Sequence, residues 1–305
     1  MLDGEKILFT GATGPVAGPI AKALATGNEV WAAARFGSEQ VRGELTDAGI
    51  RCFSLDLVSP ELRDLPSDFT VVLNFAVVKT NDFERDLAGN VTTLGLLMEH
   101  CRKARAFLQC SSTAVYQPNG HRAFVETDPL GDNHRVLPAL QTYSITKIAA
   151  EAMCRYSAQR WNLPSTIARL NVPYGPTGGW PARHLDMILD GTQIPVHTDA
   201  PSAYNPIYQD DLIRDIEPML AMATVPATTV NWGGDDVVSI EEWCGYLGEL
   251  VGIAPAFAPT ARTIESVAVD VTKLRTVTGP STVDWREGFR RMTFARRPEA
   301  VRSLA

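Results

Sequence analysis

The sequence predicts an α/β fold: a doubly wound parallel sheet with a smaller lobe built from the C-terminal part of the chain. Three observations carry that expectation. Short apolar runs alternate with helical patterns through the first half of the chain. A glycine-rich turn joins the first apolar run to the first helical pattern, and Tyr143 and Lys147 stand four residues apart at the start of a long helix-compatible run.

Taken in order, Lys6–Thr10 is an apolar run of the kind that forms a strand buried on both faces. Residues 11–18 read Gly-Ala-Thr-Gly-Pro-Val-Ala-Gly, and a helical pattern covers residues 20–26. Strand, glycine turn and helix in that order form a phosphate site. The glycines let the backbone turn tightly and approach a pyrophosphate, and the helix N-terminus supplies N–H donors and a positive dipole. Gly11, Thr13, Gly14, Pro15 and Val16 are the candidate contacts. Pro15 suits a first helical turn but removes one N–H, and Ala17 stands where a third glycine would complete the pattern.

Glu29–Ala34 reads as the second strand and runs into Arg35. A carboxylate at this point would hold the adenosine ribose hydroxyls of NAD(H), whereas an arginine suits a 2′-phosphate. The expectation is therefore NADP(H) in preference to NAD(H). Residues 49–54 form a third strand followed by Asp56 and Leu57, placed to reach an adenine amino group, with a short helix expected over 59–65. Residues 70–77 form a fourth strand that brings Phe75, Ala76 and Val77 to the cofactor's inner ribose. One helix is expected over 81–102, containing Asn90, a candidate cofactor contact like Asn171 and Val172 further along. Residues 106–110 form a fifth strand that runs into Ser111, Ser112 and Thr113. In such Rossmann-like sheets the site lies beyond the strands' C-terminal ends.

The chain has 305 residues, 45% of them hydrophobic, and a net charge of -7. That balance argues against a nucleic-acid or anionic-membrane partner. The five cysteines are scattered with no Cys-x-x-Cys pair, and the five histidines have no ligand spacing, so reduced thiols and no metal site are expected. No signal-peptide pattern opens the chain and no apolar run is long enough for a membrane span, giving the expectation of a cytoplasmic protein.

The motifs resemble the short-chain dehydrogenase/reductase superfamily in its extended, epimerase/dehydratase-like branch. They are Thr10-Gly11-x-x-Gly14, Asn74-Phe75-Ala76, Asn90-Val91, Ser111-Ser112-x-x-Val115-Tyr116, Tyr143-x-x-x-Lys147, Arg169 through Tyr174-Gly175-Pro176, and Ile207-Tyr208-x-Asp210-Asp211. The resemblance implies that Tyr143 exchanges a proton with the substrate's alcohol or carbonyl oxygen. Lys147 binds the nicotinamide ribose, an ammonium beside a phenol favouring its ionised form. Ser112 hydrogen-bonds the same substrate oxygen, with Thr113 the runner-up, and a homodimer is the family expectation. Two departures carry information. Thr113-Ala114 follows Ser112 where dehydratases place an Asp-Glu pair. Val172 holds the position three residues after Arg169 where sugar-nucleotide enzymes commonly carry Asn, with Asn171 one residue early.

In the second half, the irregular stretch 121–140 is expected to border the substrate, with Phe124 and His134 as wall residues. A strand is expected over 164–170, helices over 181–189 and 208–222, and a strand over Thr228–Trp232. Ser239 caps a further helix, a strand-like run covers 263–269, and a helix is expected over 284–292. The basic end, 290–302, reads as a solvated terminus. Residues 1–173, with 205–233 returning, form the dinucleotide domain, and 174–204 with 234–305 form the substrate lobe. Tyr174 and Trp180 are candidate walls over the substrate. Arg183 is the sole cation between residues 175 and 208, which favours a small, largely uncharged substrate. These features predict an oxidoreductase interconverting a secondary alcohol and a ketone, or reducing an aldehyde. The alternatives are an NAD-dependent sugar-nucleotide epimerase and, from another class, a non-catalytic dinucleotide sensor.

Overall fold

The computed structural model describes residues 2–300; Met1 and residues 301–305, including the last part of the basic end, lie outside them. Six strands, β1 (Lys6–Thr10), β2 (Glu29–Ala34), β3 (Arg51–Ser54), β4 (Val71–Asn74), β5 (Ala106–Ser112) and β6 (Ser165–Leu170), join Thr228–Trp232 in a seven-stranded sheet. Its order is Thr228–Trp232, β6, β5, β4, β1, β2, β3, and every neighbouring pair is parallel. Parallel strands carry helices on both faces, which is why their residues are apolar without alternation: β4 is buried at all four positions. The order reverses between β1 and β4, so the crevice for a ligand opens over their C-terminal ends.

Helices α1 (Ala17–Leu24), α2 (Glu39–Asp47), α3 (Phe83–Leu87), α4 (Thr93–His100) and α5 (Tyr143–Trp161) connect the strands. One flanking core joins Ile20, Val30, Leu73, Leu108 and Trp232; another joins Leu8, Val72, Phe107, Leu94 and Ile167. Helices α6 (Trp180–Leu189), α7 (Gln209–Ala221), α8 (Ile240–Val251), α9 (Thr272–Thr278) and α10 (Trp285–Arg296) complete the chain. A separate aromatic core gathers Tyr174, Tyr204, Trp243, Trp285 and Phe289. Among the described residues no helix is long and apolar enough to cross a membrane.

The structure corrects four expectations about elements. Residues 59–65 form turns rather than a helix: Pro60 and Pro66 leave too few residues for a hydrogen-bonded run, and Asp56 accepts from the Val58 amide instead of capping one. The helix over 81–102 is broken into α3, a wider π turn at Ala88–Thr92, and α4. The run 263–269 is not a strand. It is tied down singly, Val267 N–H to the Ala203 carbonyl and Phe124 N–H to the Ala268 carbonyl. The basic end is ordered through Arg296, with Arg290 and Arg291 on Glu287 and Arg296 and Arg297 on Asp186.

Candidate active site

A groove of about 660 Å³ runs along the C-terminal edge of the sheet, within the size range of small-molecule sites. Its floor is fixed by side chains. The Thr10 hydroxyl donates to the Asn74 amide oxygen and accepts from the Ala76 N–H at 3.1 Å, and the Asn74 amide donates to Gln109 at 2.7 Å. The ends of β1, β4 and β5 are thereby locked together.

Gly11 has φ +81°, and a Cβ there would lie 2.7 Å from the Ala76 nitrogen, so no larger residue fits the turn. No side chain caps the start of α1, but its Gly18 N–H already donates to the Gly14 carbonyl at 2.9 Å and Pro19 has none, so few backbone donors remain there for an anion. Gly11, Thr13, Gly14, Pro15 and Val16 line this part of the groove; Arg35, Asp56 and Leu57 line the outer end; Phe75, Ala76, Val77 and Ser111 line the middle. These residues fit a bound dinucleotide.

Ser112, Tyr143 and Lys147 come together at the inner end. Tyr143 opens α5 and Lys147 follows one turn later, its Nζ 5.8 Å from the Tyr143 ring centre. Lys147 is buried and donates to the Cys110 carbonyl at 2.8 Å, which anchors the ammonium beside the phenol. Ser112 ends β5, and its Oγ accepts from the Ala114 N–H at 3.2 Å, leaving its proton to donate. Burial pushes the adjacent Cys110 thiol up to about 11, against the opposing charge of Lys147, so it carries no nucleophile.

Behind the site lies a buried ion pair. Arg169 donates from Nε and Nη2 to the two oxygens of Glu151 at 2.9 and 2.8 Å. Ser111 donates to the same carboxylate at 2.7 Å and Arg155 at 3.0 Å. Burial works against the charge on Glu151, but the Arg169 fork and the Ser111 hydroxyl outweigh it and hold the carboxyl below its usual range. The pair rivets α5 to β5 and β6.

Several expected residues lie elsewhere. Asn90 does not line the groove; it bonds both backbone groups of Val78. Asn171 lines the rim, but its amide is committed to the Val267 carbonyl, the Thr113 hydroxyl and the Asn205 N–H, and Thr113 is buried. Val172 is packed in the aromatic lobe's core. Tyr174 is buried there as well, its hydroxyl donating to the Trp285 carbonyl at 3.2 Å. Trp180 stands edge-on to Tyr204 at 5.1 Å and Trp243 at 5.9 Å. Phe124 is stacked on Tyr116 in the same core. His134 does reach the site, 5.4 Å from the Tyr143 ring; burial and the nearby Lys79 charge push it down to about 4, so it is neutral at physiological pH. Sequence reasoning missed Lys79, Thr80 and Arg85, which line the inner end. The signal for the first two was their place directly after the fourth strand; Arg85 reaches the groove only because of how α3 is set.

The fold is of the dinucleotide-binding type, and its groove carries a tyrosine–lysine pair. Residues 7–233 match the NAD dependent epimerase/dehydratase family, and the chain belongs to that family. A curated relative, dTDP-glucose 4,6-dehydratase of Streptomyces griseus, is 25% identical over 151 residues, covering 48% of this chain and 43% of that protein. The match thus spans less than half of the relative. Among solved structures, UDP-glucuronic acid 4-epimerase from Bacillus cereus with UDP-glucuronic acid and NAD has a TM-score of 0.82 at 21% identity, covering 96% of this chain and 99% of that one. The dTDP-glucose 4,6-dehydratase from Streptomyces venezuelae with NAD bound has a TM-score of 0.81 at 19% identity, covering 96% and 97%. At these identities the likeness establishes the fold.

The NADP(H) expectation is corrected by these findings: the family is described as NAD dependent, and the similar structures hold NAD. The physical reason is that Arg35 is an exposed guanidinium at a strand end. Such a group can accommodate a 2′-phosphate but does not require one.

Proposed function

We propose that the protein binds NAD(H) in this groove and epimerises a carbinol carbon of a sugar-nucleotide substrate, with Tyr143 as acid/base. The observation that carries this reading is that Ser112, Tyr143 and Lys147 meet in the same groove whose far wall is the glycine turn. NAD, when bound, supplies the hydride acceptor and returns the hydride, so the overall reaction is redox-neutral. Tyr143 takes the hydroxyl proton as the carbinol is oxidised and gives it back on reduction. Ser112 donates its free proton to the same oxygen, and Lys147 holds the ribose. The segments 174–204 and 234–300 cover the substrate.

Elimination is disfavoured. Thr113 and Ala114 are buried, and Asp56, the only carboxylate among the groove's lining residues, follows the edge strand β3 at the opposite end. A second reading, net interconversion of a secondary alcohol and a ketone, is favoured by Val172, which packs in the lobe's core where sugar-nucleotide enzymes commonly offer an amide.

The test is to denature purified protein and identify the nucleotide released. NAD-loaded protein is then incubated with UDP-glucose and, separately, UDP-glucuronic acid, and the sugar is followed by NMR. An epimer without accumulating NADH supports the first reading, and NADH accumulating with a keto product supports the second. Protein that neither carries nor binds NAD overturns both.

A further inference from the structure

We propose that Asp86 is a positioning residue for Tyr143, its carboxylate clamping the catalytic helix to the loop that carries Lys79. The inference rests on the reading of Tyr143 as acid/base.

Asp86, on α3, is fully buried, and the side-chain and backbone donors that meet its carboxylate are all uncharged. A buried carboxylate without a cation is expensive unless its lone pairs are filled. Here they are filled from two different segments. Oδ1 accepts from the Thr80 N–H at 2.8 Å and the Thr80 hydroxyl at 2.7 Å. Oδ2 accepts from the Asn81 N–H at 3.1 Å and the Thr142 hydroxyl at 2.6 Å. Thr142 is the residue immediately before Tyr143, and its hydroxyl does not cap its own helix. The arrangement also sets a negative group at the start of α5, where the helix dipole favours it.

A second clasp runs alongside. Asn81 donates to the Pro138 carbonyl at 2.7 Å and accepts from the Gln141 N–H at 3.1 Å. On the other side of Lys79, Asn90 in the π turn holds the Val78 N–H and carbonyl, each at 2.7 Å. Lys79 is therefore flanked by pinned residues, and its Nζ lies 5.9 Å from the Tyr143 ring centre. The broken helix is a brace: Asp86 and Asn90 set the loop, and Asp86 alone also sets the helix. A wider π turn at such a position is a common functional device.

A phenol must lie within hydrogen-bond reach of the proton it moves, and a misplacement of about 1 Å can cost as much as roughly a hundredfold in rate. Thr142→Val is nearly isosteric and removes only the helix side of the clamp. We expect it to lower kcat roughly tenfold, with NAD affinity close to that of the wild type and a melting temperature a few degrees lower, and Thr142→Ser to recover both losses. The second readout needs no substrate. In full-length, NAD-loaded protein carrying 3-fluorotyrosine, the Tyr143 fluorine line, assigned by its loss in Tyr143→Phe, should shift or broaden in Thr142→Val and in Asp86→Asn and return in Thr142→Ser. A fluorine line unchanged in both variants overturns the proposal. So does a parallel fall of kcat, NAD affinity and melting temperature that serine fails to rescue. If wild-type protein turns over no carbinol substrate, the proposed reaction has failed, and the fluorine line alone still decides the clamp.

Discussion

The sheet half and the aromatic lobe solve the problem of burying polar groups in opposite ways. In the sheet, aliphatic strands fill the core, and the polar residues collect at strand ends, where Thr10, Asn74 and Gln109 bond one another and leave a groove open. In the lobe, aromatic rings close directly on each other, Tyr174 on Phe289 at 4.6 Å and Trp243 on Phe289 at 6.3 Å. Their polar tips turn to neighbours within the lobe, as Trp243 Nε1 does to His184 Nδ1 at 2.9 Å. The sheet half satisfies its buried polar atoms internally and still leaves a groove at its strand ends, whereas the lobe's rings close on one another. On the proposed function, chemistry belongs to the sheet half, and the lobe contributes shape.

The largest expected effect tests that division at its sharpest point. Tyr143→Phe should lower kcat by roughly 10²–10⁴-fold, the range of a lost acid/base, while NAD binding measured by calorimetry stays unchanged. A comparable loss from a lobe aromatic with intact folding would break the division. Next comes the rivet behind the site. Glu151→Gln leaves the buried Arg169 without its charged partner and should cost about 3–5 kcal/mol of stability, read from denaturant unfolding. A small cost would mean that α5 is held by packing alone.

The same division explains what the sequence made legible. The seven strands, the glycine turn and the Tyr143–Lys147 pair depend on spacing within one element or one turn, so the pattern alone makes them legible, whereas Ser112, on β5 rather than α5, is singled out by the family resemblance. Tyr174 and Trp180 are expected over the substrate, but an aromatic ring reads the same whether it faces a ligand or Trp243; the tertiary packing of α6, α8 and α10 puts Tyr174 in the lobe's core and the half-buried Trp180 against it. Arg85 is not legible because the break between α3 and α4 leaves no trace in a helical pattern, whereas Lys79 is marked only by its place after the fourth strand. Arg35 lines the groove, but an arginine there suits a 2′-phosphate without requiring one, and the similar UDP-glucuronic acid 4-epimerase structure holds NAD.

The lobe's internal use of polar atoms gives it a pH dependence. His184 accepts from Trp243 through Nδ1, so the ring must be neutral, and burial together with the charge of Arg183 pushes it down to about 3. The unfolded chain binds a proton near pH 6.5 that the folded lobe refuses. Stability is therefore complete above that pH and falls as pH drops toward about 3, by up to about 5 kcal/mol. Melting temperature measured against pH should decline on this acid limb, and less so in His184→Leu.

The smallest effect is the most discriminating for the lobe. Tyr174→Phe removes one buried hydroxyl and its bond to the Trp285 carbonyl while keeping the ring between Tyr208 and Phe289. A single neutral hydrogen bond contributes about 0.5–1.5 kcal/mol, so the melting temperature should fall by a few degrees. KM and kcat should not move, because the hydroxyl points at the lobe's own backbone. A rise in KM without loss of stability would mean that Tyr174 meets the substrate. The lobe would then share the chemistry that the packing of its rings assigns to the sheet half.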